Sequence, residues 1–215
     1  MDSRNDWKLM RGLAAAVVFI LAACCPAFCC YSGFLVVPST DLVSQGQYSV
    51  EVQNDLLLPV RSQTSSTFFN TQFGVTKDVE AGLDFDMSDT SDSRMIGNFK
   101  YRYSAGSVPV AAGISSLNGS FKSIPYICMG PSFSFGRITF GAIRNQSRDR
   151  WYAGFDRAIS SKLTLMADYT SGKDNLSSVA VNLALSESFS ILAGAEFPND
   201  GSTNTIYSVH LVMCG

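Results

Sequence analysis

The sequence predicts an all-β protein, an antiparallel up-and-down β-barrel of about 12 strands behind an N-terminal signal peptide. Three observations predict it. From Tyr48 onward, apolar and polar residues alternate with a period of two. The alternating segments mostly run to nine or more residues, longer than the ~5–6 of an ordinary strand. The connections between them alternate between polar stretches and one- or two-residue turns. Composition agrees with a folded, apolar chain: of 215 residues, 46% are hydrophobic and only 16% charged, which excludes disorder. A net charge of −2 without a clustered basic face argues against a nucleic-acid partner.

The first thirty residues read as an address. Arg4, Lys8 and Arg11 precede the apolar run Gly12–Ala23. A basic start and a short apolar core mark a secretory signal peptide, assigned here to residues 1–30. Twelve helical residues reach only about 18 Å, too short for a bilayer core of ~30 Å. Two cleavage routes are open. Leu21-Ala22-Ala23-Cys24 resembles a bacterial lipobox at 21–24, making Cys24 a candidate for lipidation, whereas Cys25-Pro26-Ala27 suits ordinary signal peptidase. Cys24, Cys25, Cys29 and Cys30 have no neighbouring His or acidic ligand, so no metal site is assigned to them. Cys128 and Cys214 in the body are better read as small apolar residues than as a disulfide.

Residues 31–46 form an extended lead-in, and 47–215 the barrel domain. Strands are expected at 47–58, 66–76, 78–87, 94–104, 107–117, 125–135, 137–145, 150–159, 162–171, 175–185, 188–197 and 203–213. In the third, Val79, Ala81, Leu83, Phe85 and Met87 oppose Glu80, Gly82, Asp84 and Asp86. In the eleventh, Phe189, Ile191, Ala193, Ala195 and Phe197 oppose Ser188, Ser190, Leu192, Gly194 and Glu196. Pro131 lacks a ladder donor and predicts a bulge or split in 125–135. Polar connections follow the odd strands and tight ones the even strands, without exception on these boundaries, as two unlike barrel rims require. An even strand count puts both termini on the tight rim.

Alternation alone leaves open which face is wet. A soluble barrel buries the apolar parity, and a membrane barrel turns it to lipid. The export signal, the long even strands and an aromatic girdle favour the membrane. The girdle residues are Tyr48, Tyr103, Trp151, Tyr169 and Tyr207, toward strand ends on the apolar parity.

With these residues in view, a resemblance can be named. Gly154–Tyr169 (GFDRAISSKLTLMADY), with the loop Ser171-Gly172-Lys173-Asp174-Asn175, resembles the hairpins of bacterial outer-membrane β-barrel proteins. Val37-Pro38-Ser39-Thr40-Asp41 with Gly46 is similar to the opening of barrel proteins associated with exopolysaccharide secretion, where it leads from the signal to the first strand. The resemblance implies export to the outer membrane, with membrane lipid and the insertion machinery as partners. Such barrels usually end on an aromatic residue, whereas this chain ends Val212-Met213-Cys214-Gly215.

Inside such a barrel, Glu80, Asp84, Asp86, Arg94, Lys100 and Arg102 form a charge ladder. Glu80 is expected near Lys100 or Arg102, and Asp86 near Arg94. The expected function is a structural or small-pore role without enzymatic activity or cofactor. One alternative is an exported lipoprotein whose soluble β-domain binds a hydrophobic ligand or partner. A remoter one is a lipid hydrolase or acyltransferase built on His210 and Ser208, which share a strand face but lie roughly 6.5–7 Å apart by strand geometry. No phosphate-binding loop, HExxH or paired CxxC occurs.

Overall fold

The computed structural model describes residues 33–58, 65–88, 94–105, 107–117, 123–145, 148–202 and 204–215. The signal segment and Cys24 lie outside the described residues.

The strands are β1 (Tyr48–Leu58), β2 (Ser65–Thr76), β3 (Val79–Asp86), β4 (Arg94–Ala105), β5 (Val108–Leu117), β6 (Ile124–Met129), β7 (Ser132–Phe133), β8 (Gly136–Asn145), β9 (Arg148–Ala158), β10 (Leu163–Thr170), β11 (Leu176–Ala184), β12 (Phe189–Pro198) and β13 (Thr205–Cys214). Each pairs antiparallel with its neighbours. β13 returns to β1, with Ser49 opposite Cys214, and β6 pairs with β8, so the sheet closes into a barrel of 12 strands. Closure removes the sheet edges, the condition for a β-structure to sit in lipid.

The thirteenth element is the second half of a split strand. β6 and β7 both pair with β8, interrupted at Gly130-Pro131. Pro131 has no N–H to give, but its carbonyl still accepts from Ile138 N at 3.2 Å, and Gly130 N donates to Pro109 O at 3.0 Å. The ladder therefore survives the break.

The alternation of connection lengths has an exception. β8 and β9 pair as far as Asn145↔Arg148, leaving only 146–147 between them on the rim of the longer connections. The cross-strand pair Arg144–Asp149, at 2.6 Å, extends this hairpin past the boundary read from sequence. On the opposite rim, 159–162 and 185–188 are longer than their sequence suggested. Serine hydroxyls replace ladder bonds there: Ser160 Oγ accepts from Lys162 N and Leu163 N, and Ser186 Oγ accepts from Ser188 N.

The apolar parity faces outward. On β13, Tyr207, Val209, Leu211 and Met213 are exposed while Ser208, His210, Val212 and Cys214 are buried. Leu165, Val179, Phe140 and Ile127 are likewise exposed. A soluble β-domain with its apolar parity inside is thus not the arrangement found. Cys128 and Cys214 are buried on the inner face and form no disulfide among the described residues.

Candidate functional site: the lumen and the segment that fills it

The lumen is occupied by the chain's own lead-in. Residues 33–47 fold back inside the ring, burying Phe34, Leu35, Val37, Ser39, Thr40 and Val43. A narrow hairpin starts the segment, with Gly33 bridged to Pro38 and Phe34 N donating to Val37 O at 2.9 Å. A turn at Gly46, with φ of 79°, ends it. There Gly46 N donates to Gly74 O at 2.8 Å and Gly74 N to Gln47 O at 3.0 Å, tying the segment to β2 before β1 begins.

This segment organises the interior. Phe34 and Val37 cluster with Ala111, Cys128 and Tyr152, and Leu35 with Ala180 and Leu192. Room comes from small residues on the inner wall. A Cβ on Gly154 would lie 2.6 Å from the Phe34 ring, and one on Gly194 2.6 Å from Leu35 Cδ2.

Charged side chains hold the segment to the wall. Val43 N donates to Glu80 Oε2 at 2.7 Å, and Val36 N to Asp168 Oδ2 at 3.3 Å. Lys100 Nζ donates to Asp41 O at 2.9 Å and stands 3.5 Å from Glu80. Arg137 spans Asp41 at 2.5 Å and Asp156 at 2.8 Å. Burial pushes the Asp41 carboxyl up, but the hydrogen bond and charge of Arg137, with the Ser39 hydroxyl, hold it below the usual carboxylate range. A buried pair is costly to leave half-made, so each of these charges fixes the position of the next.

The ladder residues are thus divided. Of the two neighbours expected for Glu80, the structure pairs it with Lys100. Arg102 instead donates to Lys77 O at 3.4 Å. Asp84 accepts from the Asn98 amide, which stands where the ladder reading sought a cation. Asp86 and Arg94 are register partners, and the Arg94 side chain lies outside the described residues.

Beyond the tip of the segment lies a cavity of about 400 Å³, lined by the hairpin 33–38 and by Glu51, Gln53, Asn70, Asp84, Asn98 and His210, among others. Asn70 Nδ2 donates to Glu51 Oε1 at 2.8 Å, and His210 Nδ1 lies 3.1 Å from the same oxygen. Ser208 Oγ approaches Asp55 Oδ1 at 2.6 Å and Glu196 Oε1 at 2.7 Å.

The closed ring has counterparts among solved structures. The barrel is similar to the KdgM porin in complex with disordered oligogalacturonate, with a TM-score of 0.63 and 10% identity over 77% of this chain and 98% of that one. It is similar to the KdgM porin alone with a TM-score of 0.60 and 11% identity over the same shares. The fold is that of a porin. No family model matches the chain, and neither does any curated protein.

On this porin fold the aromatic residues singled out from sequence lie on two rims. Tyr48 and Tyr103 sit near the short-turn rim, and Trp151, Tyr169 and Tyr207 near the other. All five are exposed on the outer face. The Trp151 and Tyr169 rings meet with centroids 5.1 Å apart. Ser208 and His210 share the inner face of β13, but Ser208 is bonded to carboxylates and not to the imidazole. The His–Ser pairing that the lipid-enzyme reading called on, with the imidazole as base for the hydroxyl, is not made among the described residues.

Sequence reading missed the position of the lead-in. Two signals pointed to it. Phe34-Leu35-Val36-Val37 is apolar yet too short and too close to Pro38 to be a membrane strand. The inner parity also drops to Gly or Ala at Ala111, Gly154, Ala180 and Gly194, where that cluster is received.

Proposed function

We propose that this protein is a bacterial outer-membrane barrel with a structural or small-pore role, its lumen narrowed by its own residues 33–47. One observation carries the reading: an exposed, predominantly apolar parity wraps a closed ring whose buried charged groups point inward. Water would penalise that exterior, whereas lipid accepts it. The aromatic rims suit the two membrane interfaces, and the barrel meets membrane lipid and the insertion machinery after export by residues 1–30. Cys24 supplies a second anchor if the lipobox is used. The role is not catalytic. The lumen wall supports no transfer of the similar porin's ligand: oligogalacturonate is anionic, and the cavity here is bordered by Glu51, Glu80 and Asp84.

The reading is tested on a denaturing gel, comparing unheated and boiled samples of detergent-extracted membranes. A heat-dependent change of mobility is expected. A protein that runs alike in both samples, and is released into the soluble fraction when its N-terminus is removed, would refute the membrane reading.

A further inference from the structure

The inner wall carries acid without matching base, and two of these acids, Glu51 and Asp84, line the cavity. Glu51 and Asp55 on β1, Asp84 and Asp86 on β3, and Glu196 on β12 all belong to the inner parity. The inward basic groups are engaged elsewhere. Lys100 serves Glu80 and the Asp41 carbonyl, Arg137 serves Asp41 and Asp156, and Arg150 serves Asp174 at 2.7 Å. Asp86 has Arg94 opposite in register. Among the described residues, no Lys or Arg bonds Glu51, Asp55, Asp84 or Glu196. Their recorded partners are neutral donors: Asn70 for Glu51, Gln53 for Asp55, Asn98 for Asp84, and Ser208 for both Asp55 and Glu196. The ionisable nitrogens that line the cavity among the described residues are Lys100, which serves Glu80 and the Asp41 carbonyl, and His210, against Glu51.

Two details point to a missing positive charge. Ser208 Oγ makes two short contacts, to Asp55 and to Glu196. A hydroxyl has one proton to donate and lone pairs to accept, so it donates to one carboxyl, and the other contact closes only with a proton on that second carboxyl. A cation seated beside the two carboxylates would stand in for that proton. His210 is 1% exposed and lines the cavity, yet its Nε2 has no hydrogen-bond partner among the described residues. The wall is therefore incomplete as it stands, on the side where acid accumulates.

We infer that this lumen selects small cations, and that Glu51, Asp55 and Glu196 set the selectivity. A narrow, low-dielectric passage with one sign of charge concentrates counter-ions and repels co-ions. The inference rests on the pore reading above and names the class of solute that the pore favours.

The test is the reversal potential of the full-length protein in planar bilayers under a KCl gradient. K⁺ is expected to be favoured over Cl⁻ by about tenfold. The combined variant Glu51→Gln, Asp55→Asn, Glu196→Gln should bring the ratio close to one, while Asp200→Asn on an exposed turn leaves it unchanged. Anion preference, or a ratio that the combined variant does not move, overturns the inference. Heat-dependent gel mobility reports whether each variant has folded. If the combined variant does not fold, Glu51→Gln alone should lower the ratio and Glu51→Asp should keep it. Silent bilayers would count against the pore reading itself. The cation inference is then decided by spermine, which should raise the temperature of the gel-mobility transition in the parent and not in the variant. An equal rise in both overturns it.

Discussion

Gly154 matters because of what its missing side chain admits. The Phe34 ring occupies the space where a Cβ would stand. Gly154→Val should expel Phe34 or strain the wall, at a cost of about 1–3 kcal/mol for overpacking. The expected result is a larger single-channel conductance and faster protease cleavage near residue 34, with the barrel still heat-modifiable. Unchanged conductance and cleavage would mean that the ring finds another seat. Asp41 gives a pH dependence. Its carboxyl is held below the ordinary range when seated against Arg137, so the displaced segment binds more protons than the seated one. The resulting stabilisation is present above the ordinary carboxylate pKa and is lost as pH falls through the lowered one. Conductance should therefore rise once the pH drops below about 4, and Asp41→Asn should show the loosened behaviour already at neutral pH. A conductance independent of pH from 7 to 3 would speak against this latch.

Among the elements, the lead-in and the split strand decide the interior. The lead-in is short, but both apolar clusters found among the described residues are built on it, and side chains from four wall strands, Glu80, Lys100, Arg137 and Asp168, bond its backbone or its Asp41. Deleting residues 34–43 while keeping the signal should leave a barrel that still changes mobility on heating. Its transition temperature should be lower, because apolar surface loses its cover, and its conductance larger. A deleted chain that no longer inserts would make the segment part of the barrel's folding core rather than a closure. The break at Gly130-Pro131 has a related role: Gly130 faces Thr40, whose Oγ1 would lie 2.7 Å from an added Cβ. The strand thus yields where the segment passes.

For the molecule as a whole, orientation of the two parities governs behaviour. Val179 is 52% exposed at the middle of β11 and belongs to the outer face. Val179→Arg should cost roughly 2–4 kcal/mol if that face meets the bilayer midplane. Urea titration of the protein in lipid vesicles reads this cost. A change near zero would mean that the face meets water. In a bilayer the two aromatic rims would fix the height of this belt, because Tyr and Trp rings prefer the headgroup region.

Much of this was legible in the sequence for a local reason. Side chains of a strand alternate faces whatever the partner, so period two revealed the strands, their parity and the outward aromatics. Pro131 announced the split because a missing N–H is a property of one residue. Register narrowed the ladder: consecutive strands of a hairpin bring Glu80 near Lys100 or Arg102, and the structure chose Lys100. What lay beyond the sequence was anything requiring groups distant along the chain to meet. The neutral partner of Asp84 depended on which amide came within reach. The export signal, the long even strands and the girdle already favoured an outward apolar parity, and ring closure decided it. The filling of the lumen needed Phe34 to find Gly154, 120 positions away. Alternation is written residue by residue, whereas the contents of a cavity exist only once its walls have closed.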